Sequence, residues 1–566
     1  MRRAFAAALL LLLSCHGFAA APQVARGRGG AVAAAEENAA RAGIEMLKRG
    51  GNAADAAVAV AFALAVTWPE AGNIGGGGFW ISRDARGKTL ALDFREVAPR
   101  TARRDLFTRP GPGGVAPSST EGPFASGVPG SVDGLWRAHR ALGRLSWKTV
   151  LAPAIRLARQ GFVVSETLSR SIAIPKYRKR LAADPETAAI FLPGGEPLVP
   201  GSTFRQPALA RTLEAIRDRG ADGFYRGRVA REIETGQKKV GGLITRGDLA
   251  IYTSKIRRAL QFPFGGAQIV TLPAPASGPV LAEMAYLAGF VGLPKLKGRD
   301  PASAHYLAEI EKRAFLDRNR FLGDPAFGGV REKVFTDLAR LKRIAATIDP
   351  NRASRSEGLR ALPEEAPSTT HFSVVDGAGG VVAVTTTLND WYGNGRVAPG
   401  LGFLWNNEMD DFATTPGKPN TYGLIQGEVN AVAPGKRMLS AMCPMIAVLG
   451  NRNAYAWGTR GGSTIPTSNF QVLLGVLLRG EILEAAVGAP RFHQQDFPDK
   501  IQIERNRFDA NWIEALRRLG HTVAERDLDG DPIGEIYAIA RAADGTVSAV
   551  ADPRRTGAAL VVTEVR

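Results

Sequence analysis

The sequence predicts an α+β fold built in layers. Two observations carry that reading. Alternating apolar runs come in hairpin pairs, and the helix-patterned stretches lie apart from them. No internal repeat links the two sets.

Taken in order, residues 36–48 show helical spacing of Ala39, Ile44 and Leu47 and stop at Gly50-Gly51. Residues 53–66 form an apolar helix with Asp55 as its one charge, of a length that suits a buried core helix rather than a membrane span. Gly75-Gly76-Gly77-Gly78 precedes two strand runs, 79–82 and 90–94, around an Asp-Ala-Arg-Gly turn. The glycine run lacks the Lys-Ser/Thr of a phosphate-binding loop and the spacing of a dinucleotide fingerprint. Tight backbone packing near a site is expected instead. From 131 to 346 the pattern is mostly helical, with short extended pieces such as 268–272. Residues 350–367 are polar and charged, with Pro363 and Pro367 flanking Glu364-Glu365, a surface segment by composition. Beyond it, 371–375 and 381–388 alternate around Asp376-Gly377-Ala378-Gly379-Gly380, a hairpin signal. Residues 445–449 and 454–458 form a second hairpin, 536–541 and 546–550 a third, with helices at 469–478 and 512–519.

The 566 residues are 45% hydrophobic and 22% charged, a globular composition long enough for a large core. A net charge of +18 favours anionic partners. The basic residues are scattered, however, apart from Lys176-Tyr177-Arg178-Lys179-Arg180, and there is no zinc-finger spacing or RNA-binding aromatic signature. A solvated basic surface is expected, not a nucleic-acid partner. Met1-Arg2-Arg3, an apolar stretch 4–13 and Ala19-Ala20-Ala21 read as an export signal over 1–21. Leu12-Leu13-Ser14-Cys15 resembles a bacterial lipobox, so a lipid anchor on Cys15 stands beside a soluble periplasmic or secreted protein. With the signal removed, Cys443 is alone and the fold holds without a disulfide. Cys443 reads as a small core residue.

Ser368-Thr369-Thr370-His371 heads the first strand of the 371–388 hairpin. A chain that cut itself before Thr369 would free a hydroxyl nucleophile carrying its own α-amine as base. Such an amine has a pKa near ~8, so a useful fraction is neutral at physiological pH. The plain alternative is a Thr pair at a strand start. Further polar clusters are Asp93-Phe94-Arg95-Glu96, Thr385-Thr386-Thr387-Leu388-Asn389, Asn406-Asn407-Glu408-Met409-Asp410-Asp411-Phe412, Lys436-Arg437-Met438-Leu439-Ser440 and Gly461-Gly462-Ser463, with Pro490-Arg491-Phe492-His493 beyond. Taken singly, Arg95 could be a surface ion pair and 406–412 an exposed acidic turn.

Together, and in this order, the clusters resemble γ-glutamyltranspeptidase, an N-terminal-nucleophile hydrolase made as a precursor. The resemblance runs from Glu36 to the Ala551-Asp552-Pro553-Arg554-Arg555 tail. It implies a four-layered αββα core. It also implies cleavage between Ser368 and Thr369 into a large subunit, 22–368, and a small catalytic subunit, 369–566, held as a heterodimer. In that family's terms Thr369 is the nucleophile for self-cleavage and turnover, and Thr387 hydrogen-bonds it. Arg95 and Ser440 take the substrate α-carboxylate, for which a guanidinium fork is suited. Asn389, Glu408 and Asp411 take the α-ammonium. Gly461 and Gly462 offer an oxyanion hole, and Tyr422, in the stretch 416–423, covers the pocket as a lid. The implied reaction cleaves the γ-glutamyl amide of glutathione and related compounds and passes the acyl group to water, an amino acid or a peptide. No metal or cofactor is called for; the six histidines lack ligand spacing, and His371 reads as support for its strand.

Ala441 stands where the family often has a second serine, and Arg460 and Thr464 flank the glycine pair where many members carry Pro and Arg. Two alternatives accompany the main expectation: an acylase of the same fold that removes a glutaryl or cephalosporin-type side chain, and an unprocessed binding protein.

Overall fold

Thr369 sits at the head of a strand in the middle of an antiparallel sheet. The computed structural model describes residues 21–111, 114–356, 369–415, 417–450, 453–527 and 532–562. Residues 1–20 of the expected export signal, Cys15 among them, and residues 357–368, with the Ser368 side of the expected cut, lie outside them.

The first sheet runs in the order Ala558–Val561, Gly30–Ala34, Thr370–Asp376, Val381–Thr387, Gly77–Arg83, Thr89–Asp93, Lys255–Arg257. Its neighbours are all antiparallel. The second runs Gln23–Gly27, Val547–Ala551, Glu535–Arg541, Asn453–Trp457, Met445–Leu449, Ala267–Thr271, Leu260–Phe264, with Thr459–Arg460 added along Glu535–Arg541. The sheets pack face to face through the 370–376 and 535–541 strands. Helices Glu37–Lys48 and Ala53–Thr67 cover the first sheet, and Gly278–Val291, Thr464–Leu473 and Leu483–Gly488 cover the second. The result is the αββα order.

Side-chain alternation builds these layers. In Glu535–Arg541, Tyr537 and Ile539 join the apolar cluster between the sheets, while Ile536 and Ala538 join the cluster under the outer helices. In Met445–Leu449, Ile446 faces inward and Met445 and Ala447 outward. Helix Ala53–Thr67 is buried over its whole length, which is why it reads apolar all round. Asn52 and Asp55 close its N-terminus as a capping box.

The three expected hairpins are present, each within about two residues of its sequence bounds. Strands Gln23–Gly27 and Gly30–Ala34 were not expected. Gly-Ala-Val-Ala-Ala has little strand propensity of its own, and pairing with both Thr370–Asp376 and Ala558–Val561 imposes the conformation. The helix expected at 469–478 starts earlier, as Thr464–Leu473, and ends in a π turn, Leu474–Leu478. All ten residues of its α-helical part are buried, so no polar face marks its first turn.

The basic run at 176–180 is also not simply a solvated surface. Arg180 is buried and, with Lys176, pairs with Asp390; Tyr177 donates its hydroxyl to the same carboxylate at 3.0 Å. Cys443 is buried, and burial pushes its thiol up to about 12.

Burial pushes three imidazoles down, His371 and His493 to about 3 and His521 to about 4. In the unfolded chain each binds its proton near pH ~6.5. Between those values the unfolded state holds more protons, so stability is full above pH 6.5 and falls as the pH drops. Each imidazole sets a slope of at most about 1.4 kcal/mol per pH unit. His493→Gln is therefore expected to flatten the decline in melting temperature between pH 6.5 and 4, relative to wild type. Parallel decline in both proteins would refute this.

Candidate functional site

Thr370 pairs with Thr386 across the central hairpin, which brings Thr369 alongside Thr387 at its open end. The Thr369 hydroxyl donates to Thr387 Oγ1 at 3.4 Å, and both residues are buried. Thr387 Oγ1 also accepts the backbone N–H of Asn389 at 2.8 Å.

The glycine run fixes that strand end. An added Cβ would lie 2.1 Å from the Thr387 carbonyl oxygen at Gly76 and 2.3 Å from the Thr385 oxygen at Gly78. No side chain fits there. Asn73 ties the two segments: its Nδ2 donates to the Thr387 carbonyl at 2.9 Å, and its Oδ1 accepts from Gly76 N–H at 3.0 Å and Ser131 Oγ at 2.6 Å.

Arg95 follows the strand Thr89–Asp93 and is wholly buried. It is not a surface ion pair. Its Nη1 pairs with Glu408 and its Nη2 with Asp411, and Glu96 lies 3.6 Å from Nη1. Nε and Nη2 further donate to the carbonyls of Met438 and Leu439. The 406–412 segment is likewise buried, as a short 3-10 turn Glu408–Asp411, not exposed. Asn406 anchors it by donating Nδ2 to the carbonyls of Gly75 and Gly127. Burial opposes the charge on Arg95, but Glu408, Asp411 and Glu96 hold it well above its usual value. Burial raises Glu408 and Asp411 as well, and pushes Glu96 up to about 7. One guanidinium does not neutralise three buried carboxylates, so the three acids, titrating together, hold a proton more tightly than free carboxylates do.

Asn389 adopts φ 79°, a left-handed conformation that asparagine tolerates. Its Nδ2 donates to Asn407 O at 2.9 Å. The Tyr422 hydroxyl sits 2.7 Å from Asn389 O and 2.8 Å from Oδ1, and its ring lies on Gly462. Gly461 and Gly462 have φ of 134° and 55° and lead into the N-terminus of the buried helix Thr464–Leu473. The helix end adds positive potential on that side of the cavity. Ser440 is held by its N–H to Pro275 O at 2.8 Å and by Ser277 Oγ donating to its carbonyl at 2.6 Å.

Thr369, Thr387, Asn389, Glu408, Asp411, Tyr422, Ser440 and Gly462 line one cavity. Arg95 and Gly461 lie behind its wall. The cavity holds only about 20 Å³, room for a single water. Three histidine, cysteine or acidic side chains able to share a metal ion are not found among the described residues. His371 is bound through both ring nitrogens, to Thr385 Oγ1 at 2.8 Å and Ser373 Oγ at 2.9 Å.

Residues 39–562 match the family model described as gamma-glutamyltranspeptidase. The chain belongs to the γ-glutamyltranspeptidase family. It is 39% identical to a glutathione hydrolase proenzyme of Escherichia coli (strain K12), covering 98% of this chain and 97% of that one. It is 41% identical to a protein of the same name from Pseudomonas aeruginosa, covering 94% and 95%. Among solved structures, a cephalosporin acylase from Bacillus halodurans superposes with a TM-score of 0.84 at 25% identity, over 98% of this chain and 99% of that one. A gamma-glutamyltranspeptidase from Pseudomonas nitroreducens complexed with L-DON gives 0.53 at 40% identity, over 58% of this chain and 96% of that one.

Sequence reasoning missed three contributors to this γ-glutamyltranspeptidase-family site. Asn73 and Ser277 act through the backbone and carry no pattern. Arg318 lines the cavity from the helix Pro301–Phe321. Its signal was a cation on the same buried helical face as Phe315.

Gly462→Ala would place a Cβ 2.6 Å from two Tyr422 ring carbons at a φ that L-residues disfavour. The expected result is a kcat lower by about 10²–10³ as the clash displaces Tyr422 and the 461–462 backbone, on the scale of one misplaced oxyanion donor. An unchanged kcat would remove the glycine pair from the site.

Proposed function

We propose that the protein is an exported γ-glutamyl hydrolase and transferase that acts on glutathione and related γ-glutamyl amides. The observation that carries the reading is the Thr369–Thr387 pair facing Asn389, Glu408 and Asp411 across one cavity, with Arg95 directly behind the acids. Self-processing starts when Thr369 Oγ attacks the Ser368 carbonyl carbon. The hydroxyl proton passes to the departing nitrogen as the peptide C–N bond breaks and an ester forms; water hydrolyses the ester, leaving a free α-amine and the Ser368 carboxylate. Subunits 22–368 and 369–566 then stay together as a heterodimer.

In turnover the freed α-amine takes the Thr369 hydroxyl proton as Oγ attacks the γ-carbonyl. The tetrahedral oxyanion is received by the Gly461 and Gly462 N–H groups. The carbonyl reforms as the amine leaves with the proton, and Oγ keeps the acyl group as an ester. Water, an amino acid or a peptide then attacks that ester and restores Thr369.

Head-group binding is an exchange of ion pairs. In the closed site Glu408 and Asp411 already satisfy Arg95. A zwitterionic head inserts between them, its carboxylate taking Arg95 and Ser440 and its ammonium taking Asn389, Glu408 and Asp411. A 20 Å³ cavity cannot hold that head, so Tyr422 must leave Gly462 for it to enter.

The segment 1–21 supports export to the periplasm or beyond, with an anchor if Cys15 is lipidated. Among the described residues no helix is long and apolar enough to cross a membrane.

Because the chain also superposes on a cephalosporin acylase, substrate choice is the deciding measurement. The γ-glutamyl anilide is expected to be hydrolysed faster than the glutaryl anilide, which lacks the α-ammonium group. The reverse order would favour the acylase.

A further inference from the structure

Arg318 is a cation on the cavity wall that the expected chemistry does not use. It is 1% exposed, and among the described residues no carboxylate lies within 4.0 Å of it. Arg95 by contrast has three acidic partners and lies behind the wall. A buried guanidinium without an ion-pair partner is costly, and an incoming anion relieves that cost.

Its protein contacts leave donors over. Nε donates to Ser277 Oγ at 3.2 Å and Nη1 to Asn319 Oδ1 at 3.2 Å. Ser277 Oγ in turn donates to the Ser440 carbonyl, and Ser277 N–H to the Met442 carbonyl at 3.0 Å. Arg318 is thus fixed against the 440–442 segment, the same side of the cavity as Ser440, Ala441 and Met442. Ala441 brings a methyl group where a serine would bring a second hydroxyl donor.

We propose that Arg318 is a substrate-contacting specificity residue: a second guanidinium that takes the α-carboxylate of the γ-glutamyl head from the 440–442 side. Arg95 holds one edge of that carboxylate once Glu408 and Asp411 have turned to the ammonium, and Arg318 holds the other. Burial pushes Arg318 down only to about 10, so it remains charged at neutral pH. The second guanidinium also offsets Asp411 while that acid is off Arg95, which keeps the loaded pocket near neutral.

The inference rests on the γ-glutamyl reading, and the test separates the two. Two anilides are compared, γ-glutamyl and 4-aminobutyryl, which differ only in the α-carboxylate. Wild type, Arg318→Gln and Arg318→Lys are assayed, with cleavage of the precursor as the check on folding. Arg318→Gln is expected to lower kcat/KM for the γ-glutamyl anilide by about 10²-fold, mostly through KM, as for a lost charge-assisted contact. The 4-aminobutyryl anilide is expected to change less than about threefold. Arg318→Lys is expected to recover part of the loss. Equal loss on both substrates would make Arg318 structural and overturn the proposal, as would no loss on either. If Arg318→Gln stays uncut, Arg318→Lys decides alone: about tenfold loss confined to the γ-glutamyl anilide supports the proposal, and any other pattern overturns it. A wild-type protein that does not prefer the γ-glutamyl anilide fails the head-group reading itself, and Arg318 with it.

Discussion

Thr369→Ala is expected to yield one uncut chain with no turnover of γ-glutamyl amides. In the proposed chemistry the hydroxyl oxygen forms the ester in both reactions, and neither Thr387 nor Thr370 replaces it. Thr387 Oγ1 is engaged by Asn389 N–H, and Thr370, the next residue along, sends its side chain to the opposite face of the strand. The expected loss is complete within the background of the assay, at least about 10⁴-fold, because no covalent route remains. Thr369→Ser retains an oxygen and is expected to cut, more slowly. Intact masses decide: two wild-type fragments meeting at 368/369 and a single mutant mass. A cut Thr369→Ala chain would place the nucleophile elsewhere.

Arg95→Met carries the second large effect, and it falls on folding. The substitution leaves Glu96, Glu408 and Asp411 buried without their cation. Breaking a buried pair by removing one partner costs about 3–5 kcal/mol, a large part of a domain's net stability of about 5–15 kcal/mol. The expected product is uncut and poorly soluble at pH 7.5. The sign of its pH dependence follows from the acids. Without Arg95 their folded pKa values lie above the unfolded values, so the folded state binds the extra protons. Stability is then full at low pH and lost as the pH rises through the folded values. Arg95→Met is therefore expected to gain on wild type as the pH falls toward 5, read by thermal denaturation. Arg95→Lys keeps a charge but loses the fork. It is expected to cut and to lose about 10²–10³-fold in kcat/KM. A normally stable, cut Arg95→Met would mean that the three acids do not depend on Arg95.

Much of this architecture was legible in the chain because it is written in local signals. Asp376–Gly380 announces a hairpin between the strand-patterned runs 371–375 and 381–388, although the layers bury both faces of those strands, which the alternation alone does not tell. The polar clusters could be read because rare side chains occur in close sequence. Arg318 escaped because its meaning is set by distance in space: the helix turns it toward Ser277, some forty residues away. The Ala-rich strand Gly30–Ala34 escaped because its partners, not its residues, make it a strand. The basic run misled for the same reason, since Asp390 lies more than two hundred residues from Arg180.

The interleaving of the first sheet has a practical consequence. Hairpin 370–387 lies between Gly30–Ala34 on one side and Gly77–Arg83 on the other. Thr369 acquires its neighbours only once two strands from the N-terminal part of the chain have closed around that hairpin. Under the proposed self-cleavage the protein would report on its own assembly: the bond before Thr369 would break in molecules that folded and survive in those that did not. The ratio of cut to uncut chain on a denaturing gel thus becomes a built-in gauge of foldedness, available for any library of variants without a substrate or a label. For variants that spare Thr369 and its immediate contacts, that gauge separates damage to folding from damage to turnover.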